Sequence, residues 1–289
     1  MSTTTISHTT TAADGRTITA EVRGPADGPA VVLLHPAPGS RRFDPDPAAT
    51  ASAGVRLVTI DRAGYGGSGP LADGMVPTIG GHADDTAAVL DDLGVTDAVV
   101  VGWSAGGRVA AALAARRPEL VRALFIVGTP APDEEVPWIP DEQRGAIEPM
   151  RADPAGSVGF LAGMLAGAGS DPAGAVAMMT AGPADEAALA DPAVRVAVEV
   201  MLAEAFTSGA VGAAADIVSY TAVPWGFDPA AIGAPTTVVS GADDVLVPPA
   251  HGAWWASHIP EAAHEVIAGA GHLVIRPAWP RVLTAAATR

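Results

Sequence analysis

The chain has 289 residues, 49% of them hydrophobic and only 17% charged, enough apolar material for a large core and far from a disordered composition. Thirty-two acidic residues oppose sixteen basic ones, all arginine, for a net charge of −16, and a chain so poor in cations is not a nucleic-acid binder. Cysteine is absent, which excludes disulfides, a thiol nucleophile, thiolate zinc and iron–sulfur clusters.

In chain order, Met1–Thr11 reads as a polar tail holding His8, without the basic start or apolar stretch of a secretion signal. No run of eighteen apolar residues follows, so no membrane span is expected, and a cytoplasmic protein is the default reading. Arg16–Arg23 alternates Ile18, Ala20 and Val22 with polar residues, the pattern of an outer strand. Ala30–Leu34, Arg56–Ile60, Ala98–Val101, Ala123–Val127 and Thr236–Val239 are continuous apolar runs, expected of strands buried on both faces. Between them, Asp84–Leu93 and Ala105–Arg116 read as helices, the first ending at Gly94 and the second before Pro118. Alternation of this kind predicts a mostly parallel sheet with helices on both faces.

From about Asp133 to Phe227 the rhythm changes. Apolar residues recur at helical spacing, as in Phe160/Leu161/Met164/Leu165 and Val194/Val198/Met201/Leu202, and prolines cut the region into short pieces. The expectation is a core of residues 1–133 and 226–289, interrupted by an all-helical lid over 134–225.

The chemistry centres on Gly102-Trp103-Ser104-Ala105-Gly106. This pentapeptide directly follows a buried strand and directly precedes a helix. A turn that tight strains the serine backbone and projects its hydroxyl above the sheet at the positive end of the helix. Serine needs a base, and the base needs a third group to orient it. His272, in Gly269-Ala270-Gly271-His272, follows a strand-like Glu265–Ala268 and so falls at the carboxyl end of the sheet, where open α/β sheets form their sites. The third group is expected after Thr236–Ser240, where Asp243 and Asp244 are adjacent; Asp244 is the choice, Asp243 the competitor and Asp133 a distant third. Two N–H donors are expected to stabilise an oxyanion: Ala105, just after the serine, and Ala37, the only residue of Pro36-Ala37-Pro38 that has one. Trp103, Trp138 and Trp225 are expected to line an apolar substrate pocket.

Taken together these residues resemble the α/β-hydrolase fold superfamily along nearly the whole chain outside the lid. The elbow is Gly102–Gly106 and the oxyanion loop is approximated by His35–Gly39. The D-x-x-G-x-G-x-S turn is Asp61–Ser68, the acid loop runs from Gly241 through Asp244 to Pro248, and G-x-G-H ends at His272. Pro36 stands where the family usually has glycine, and Arg276 where an acidic residue often precedes the proline. The resemblance implies a serine hydrolase of α/β-hydrolase fold, with Ser104, Asp244 and His272 catalytic, acting by acyl transfer on a small neutral or apolar ester, lactone, thioester or amide. No cofactor or metal is expected, and the only partner implied is the small-molecule substrate. The alternatives on the same scaffold are carbon–carbon bond hydrolysis or lysis, cofactor-free perhydrolysis, and a silent ligand-binding member.

Overall fold

The apolar runs become adjacent strands of one sheet in the computed structural model of the protein, which describes residues 5–288. Its strands are β1 (Thr5–Thr11), β2 (Thr17–Arg23), β3 (Ala30–Leu34), β4 (Arg56–Ile60), β5 (Ala98–Trp103), β6 (Val121–Val127), β7 (Thr236–Gly241) and β8 (Ala263–Ile267). They lie in the order β1-β2-β4-β3-β5-β6-β7-β8. β1 and β2 are antiparallel to their neighbours, and β4 through β8 run parallel.

The first strand corrects the reading of a polar tail. Of Met1–Thr11, residues 1–4 lie outside the described residues, but Thr5–Thr11 pairs along its whole length with β2. Its threonines are polar in composition yet β-branched, and therefore suit an exposed edge strand. His8 sits on this edge, with Nε2 2.8 Å from Asp92 Oδ2.

Alternation along the central strands splits the core in two. Ala30, Val32, Leu34, Ala98 and Val100 face one side. There they meet α2 (Ile79–Asp92), α3 (Ala105–Arg116) and α11 (Pro249–His258). Val31, Leu33, Val99, Val101 and Trp103 face the other, against α12 (Ile275–Ala287), α9 (Pro192–Ala205) and the neighbourhood of α1 (Pro47–Ala53). Each fully buried Val or Leu in these layers contributes roughly 1.5–3 kcal/mol. The helix α2 starts five residues before the expected Asp84, because Thr78 caps it by accepting from the Gly81 N–H.

Between β6 and β7 the described residues form helices and no strand: α4 (Asp141–Arg144), α5 (Ile147–Ala152), α6 (Pro154–Met164), α7 (Pro172–Ala177), α8 (Pro183–Leu189), α9 and α10 (Val211–Thr221). Aspartate N-caps followed by proline start α6, α7 and α9, so the residues that break one helix open the next. Among the described residues no helix is long and apolar enough to cross a membrane.

What the topology does for chemistry lies at the β3/β5 pair. β3 sits between β4 and β5, and Leu34 is in register with Gly102. The loop after β3 and the turn after β5 therefore leave the sheet side by side, at the point where strand order reverses and α/β sheets bind ligands.

Candidate active site

Ser104 occupies the junction of β5 and α3 with φ 54° and ψ −123°, a left-handed backbone rare for a residue with a side chain. Such a conformation costs on the order of 1–3 kcal/mol and persists only where the surroundings enforce it. Here two close approaches enforce it. A Cβ on Gly102 would stand 2.3 Å from the Gly106 carbonyl oxygen, and one on Gly106 would stand 2.2 Å from that of Leu34. Only glycine lets strand, helix and the loop after β3 come together this closely. The Ser104 N–H donates to Val127 O at 2.8 Å, which ties the turn to β6.

Three side chains from three strand ends meet at this turn. His272 Nε2 is 3.0 Å from Ser104 Oγ, and its Nδ1 is 2.9 Å from Asp244 Oδ2. With Nδ1–H donated to the carboxylate, Nε2 is left as the acceptor for the serine hydroxyl. Asp244 is itself held, since its Oδ1 accepts the Leu246 and Val247 N–H groups at 2.9 and 2.8 Å. Asp243 is exposed and only its backbone is engaged, donating to Ala270 O. Asp133, the third candidate, accepts the Trp138 and Ile139 N–H groups and pairs with Arg144, so it is occupied in holding the loop that leads into α4. Of the three aspartates, the structure brings only Asp244 to His272.

The two expected oxyanion donors lie in the loop after β3 and at the start of α3, which leave the sheet side by side. Ala105 N opens α3, Ala37 N lies in the half-buried tip of the loop after β3, and neither donates to a protein acceptor among the described residues. That loop is held by a residue the sequence reading did not single out for a role. Arg62 donates through Nη1 to His35 O at 2.5 Å and through Nη2 to Pro36 O at 2.8 Å. The same guanidinium forks onto Asp216 of α10, with Nε 3.0 Å from Oδ1 and Nη2 2.5 Å from Oδ2, and Tyr65 OH adds a bond to Oδ2. Burial alone would neutralise both partners; each instead stabilises the other's charge, and the Asp216 carboxyl is held below the usual range by Arg62. His35 completes the loop, with Nδ1 2.7 Å from Pro36 O and Nε2 accepting the Arg62 N–H.

A second aspartate of the helical segment, fully buried Asp185 in α8, accepts the Leu273 N–H next to His272 at 2.9 Å. Sequence gives a signal for Arg62, which lies inside the Asp61–Ser68 motif, but none for Asp185 or Asp216, whose partners are distant in the chain.

The tryptophans require a correction. Trp103 is fully buried in the core. Strand alternation puts it with Val99 and Val101 on the α12 face, where it packs on Phe43 and donates its indole N–H to His272 O at 2.9 Å. It supports the histidine from below. Trp138 and Trp225 do line a cavity of 610 Å³, with Tyr220, Phe227 and Trp254, but Ser104 and His272 are not in its walls. The rings serve a buried cation instead: the Arg108 guanidinium lies 5.5, 4.7 and 5.2 Å from the Trp138, Tyr220 and Trp225 ring centres. Arg108 has no carboxylate partner among the described residues, and burial brings it down to about 10. No cluster of three or more His, Asp or Glu side chains able to hold a metal occurs among the described residues.

Residues 29–275 match the family model for the alpha/beta hydrolase fold. The chain is 37% identical over 123 residues to a bifunctional esterase/perhydrolase of Acinetobacter calcoaceticus, a match spanning 42% of this chain and only 44% of that relative. It is 30% identical over 230 residues to a pimeloyl-[acyl-carrier protein] methyl ester esterase of Aromatoleum aromaticum, covering 76% of this chain and 81% of that one. Among solved structures, an esterase from Exiguobacterium antarcticum superposes with TM-score 0.72 at 21% identity, over 98% of this chain and all of that one. The family match over residues 29–275, on a sheet that carries the elbow turn at the end of β5, makes the chain a member of the alpha/beta hydrolase fold family.

Proposed function

We propose that the protein is a serine hydrolase that works by acyl transfer on a small carboxylic ester, lactone, thioester or amide of neutral or apolar character. The observation that carries this reading is the unbroken hydrogen-bonded line from Asp244 through His272 to Ser104. Ser104 attacks the carbonyl as His272 takes its proton, and Asp244 holds the imidazole in the tautomer that can accept it. The Ala37 and Ala105 N–H groups receive the negative charge that develops on the carbonyl oxygen. His272 then returns the proton to the leaving group, and water releases the acyl enzyme by the same steps. Residues 134–225 act as a lid over a core made of 1–133 and 226–289. The esterase names of the two relatives support the substrate class without identifying the molecule.

Labelling with a fluorophosphonate, followed by a panel of p-nitrophenyl esters and lactones, tests the reading. The wild type should label on Ser104 and hydrolyse short esters, and Ser104→Ala should lose labelling and at least about 10⁴-fold in turnover. Hydrolysis by Ser104→Ala near the wild-type rate refutes the assignment. Peroxide belongs in the same panel, because the Acinetobacter relative is named as both esterase and perhydrolase.

A further inference from the structure

We propose that the buried Arg62–Asp216 pair is a positioning device for the oxyanion loop, through which the lid sets the catalytic competence of Ser104. The inference rests on the serine-hydrolase reading above and goes beyond it by giving two further residues a role in the rate.

Arg62 takes hold of the loop at two successive carbonyls, His35 O and Pro36 O, immediately before Ala37. A planar guanidinium that donates to both fixes the orientation of those peptide units, and the second of them, Pro36–Ala37, itself carries the Ala37 N–H. Pro36 and Pro38 limit how the tripeptide can otherwise adjust. The other edge of the guanidinium is occupied by Asp216, which adds the Tyr65 hydroxyl and has His82 Nε2 at 3.5 Å. Arg62 and Asp216 are both almost completely inaccessible, so the pair does no work at the surface. Two hydrophobic residues of similar volume would fill the same space without the cost of desolvating two charges. What such a replacement would lose is the pair of directed bonds to the loop carbonyls. Asp216 belongs to α10, within the lid, and a shift of that helix reaches the oxyanion donor through a single side chain.

The serine and the clamp predict different kinetics. An oxyanion donor acts mainly in the transition state, so displacing it lowers kcat and leaves KM nearly alone. A displacement of about 1 Å in such a site costs on the order of 100-fold, and outright loss of a donor about 100- to 1000-fold. Arg62→Lys keeps the charge but cannot hold two carbonyls and Asp216 together. Asp216→Asn keeps the shape and weakens the grip on Arg62. The double variant Arg62→Gln with Asp216→Asn leaves no unpaired buried charge, which protects the fold while removing the clamp. Rates on a p-nitrophenyl ester are to be expressed per serine titrated with fluorophosphonate, and inhibition by an alkylboronic acid, which forms a tetrahedral adduct on serine, measured beside them.

The expected result is a drop in kcat of about 10- to 100-fold in Arg62→Lys and in the double variant, with KM within about twofold. Boronate inhibition should weaken by the same factor as kcat/KM. Asp216→Asn should fall between wild type and these. A kcat within twofold of wild type in Arg62→Lys or the double variant, or a rise in KM at unchanged kcat, overturns the clamp and leaves the serine reading standing. A wild type that neither labels nor hydrolyses overturns both.

Discussion

Acid should destabilise this protein well above the range in which carboxylates protonate, and the reason is three buried histidines that must stay neutral. His35 Nε2 accepts the Arg62 N–H and His251 Nδ1 accepts the Ala131 N–H, so a second proton on either ring would set two donors against each other. His82 Nε2 is buried without a hydrogen-bond partner. Burial, opposed by Asp216 and reinforced by Arg62, brings His82 from 6.5 down to about 4, and burial with Arg108 brings His251 to about 4. His35 lies well below its ordinary value for the same reasons of burial and of Arg62. A histidine depressed in the folded state takes its proton preferentially when unfolded. Its stabilisation is therefore complete above pH 6.5 and is lost as pH falls towards 4. At 1.36 kcal/mol per pH unit, a group moved from 6.5 to about 4 loses roughly 3 kcal/mol in full and about 2 kcal/mol by pH 5. His82 and His251 together should remove about 4 kcal/mol between pH 7 and pH 5, a large part of the typical stability of a domain. Asp44, Asp61 and Asp85 are raised by burial and act in the opposite sense as they protonate, so a single wild-type curve mixes the two signs. Comparison with His82→Gln separates them. Urea unfolding at pH 7 and pH 5 should show this variant losing about 2 kcal/mol less than wild type across the interval. Identical pH dependence in the two proteins would refute the reasoning for His82.

Other outcomes follow from the same contacts. Asp244→Asn removes the acceptor that sets the His272 tautomer and should cut turnover by about 10⁴-fold, with fluorophosphonate labelling slowed in parallel and thermal unfolding little changed. Arg108→Met replaces a buried cation that has no carboxylate partner with an apolar chain of similar length inside an aromatic box, at the cost of the Nε–H bond to Pro130 O; stability, read as the melting temperature, should hold or rise by up to about 2 kcal/mol. A marked fall in melting temperature would mean that the ring contacts outweigh the desolvation of Arg108.

Much of the site was legible in the sequence because its parts are local. A buried run ending in Gly102-Trp103-Ser104 can hardly be anything but a strand feeding a turn, and the strands at Ala30–Leu34 and Arg56–Ile60 begin and end where their apolar runs do. The order of Ser104, Asp244 and His272 along the chain is likewise visible without coordinates. What failed was what depends on direction or on distant partners. Threonines at residues 9–11 count as polar by composition and as strand formers by shape, and the edge strand was lost to the first property. Trp103 reads as a pocket residue by its neighbours in sequence, whereas the pleat turns it into the core with Val99 and Val101. Asp185 and Asp216 each look like one more acidic residue in an acidic chain, and only the packing of the helical segment onto two loops gives them partners.

The two buried aspartates of the helical segment also bear on which parts of that segment are free to vary. The helices α8 and α10 each place a buried carboxylate on a loop of the core, so neither can be exchanged for a foreign helix without stranding a partner. The helix α6, by contrast, buries none of its residues and leaves Phe160 and Met164 largely exposed. Variation in the shape of the helical segment has room to accumulate along α6, while α8 and α10 hold the segment to one docking geometry. The part of the molecule most free to diverge is thus fastened at two points to the part least free to do so.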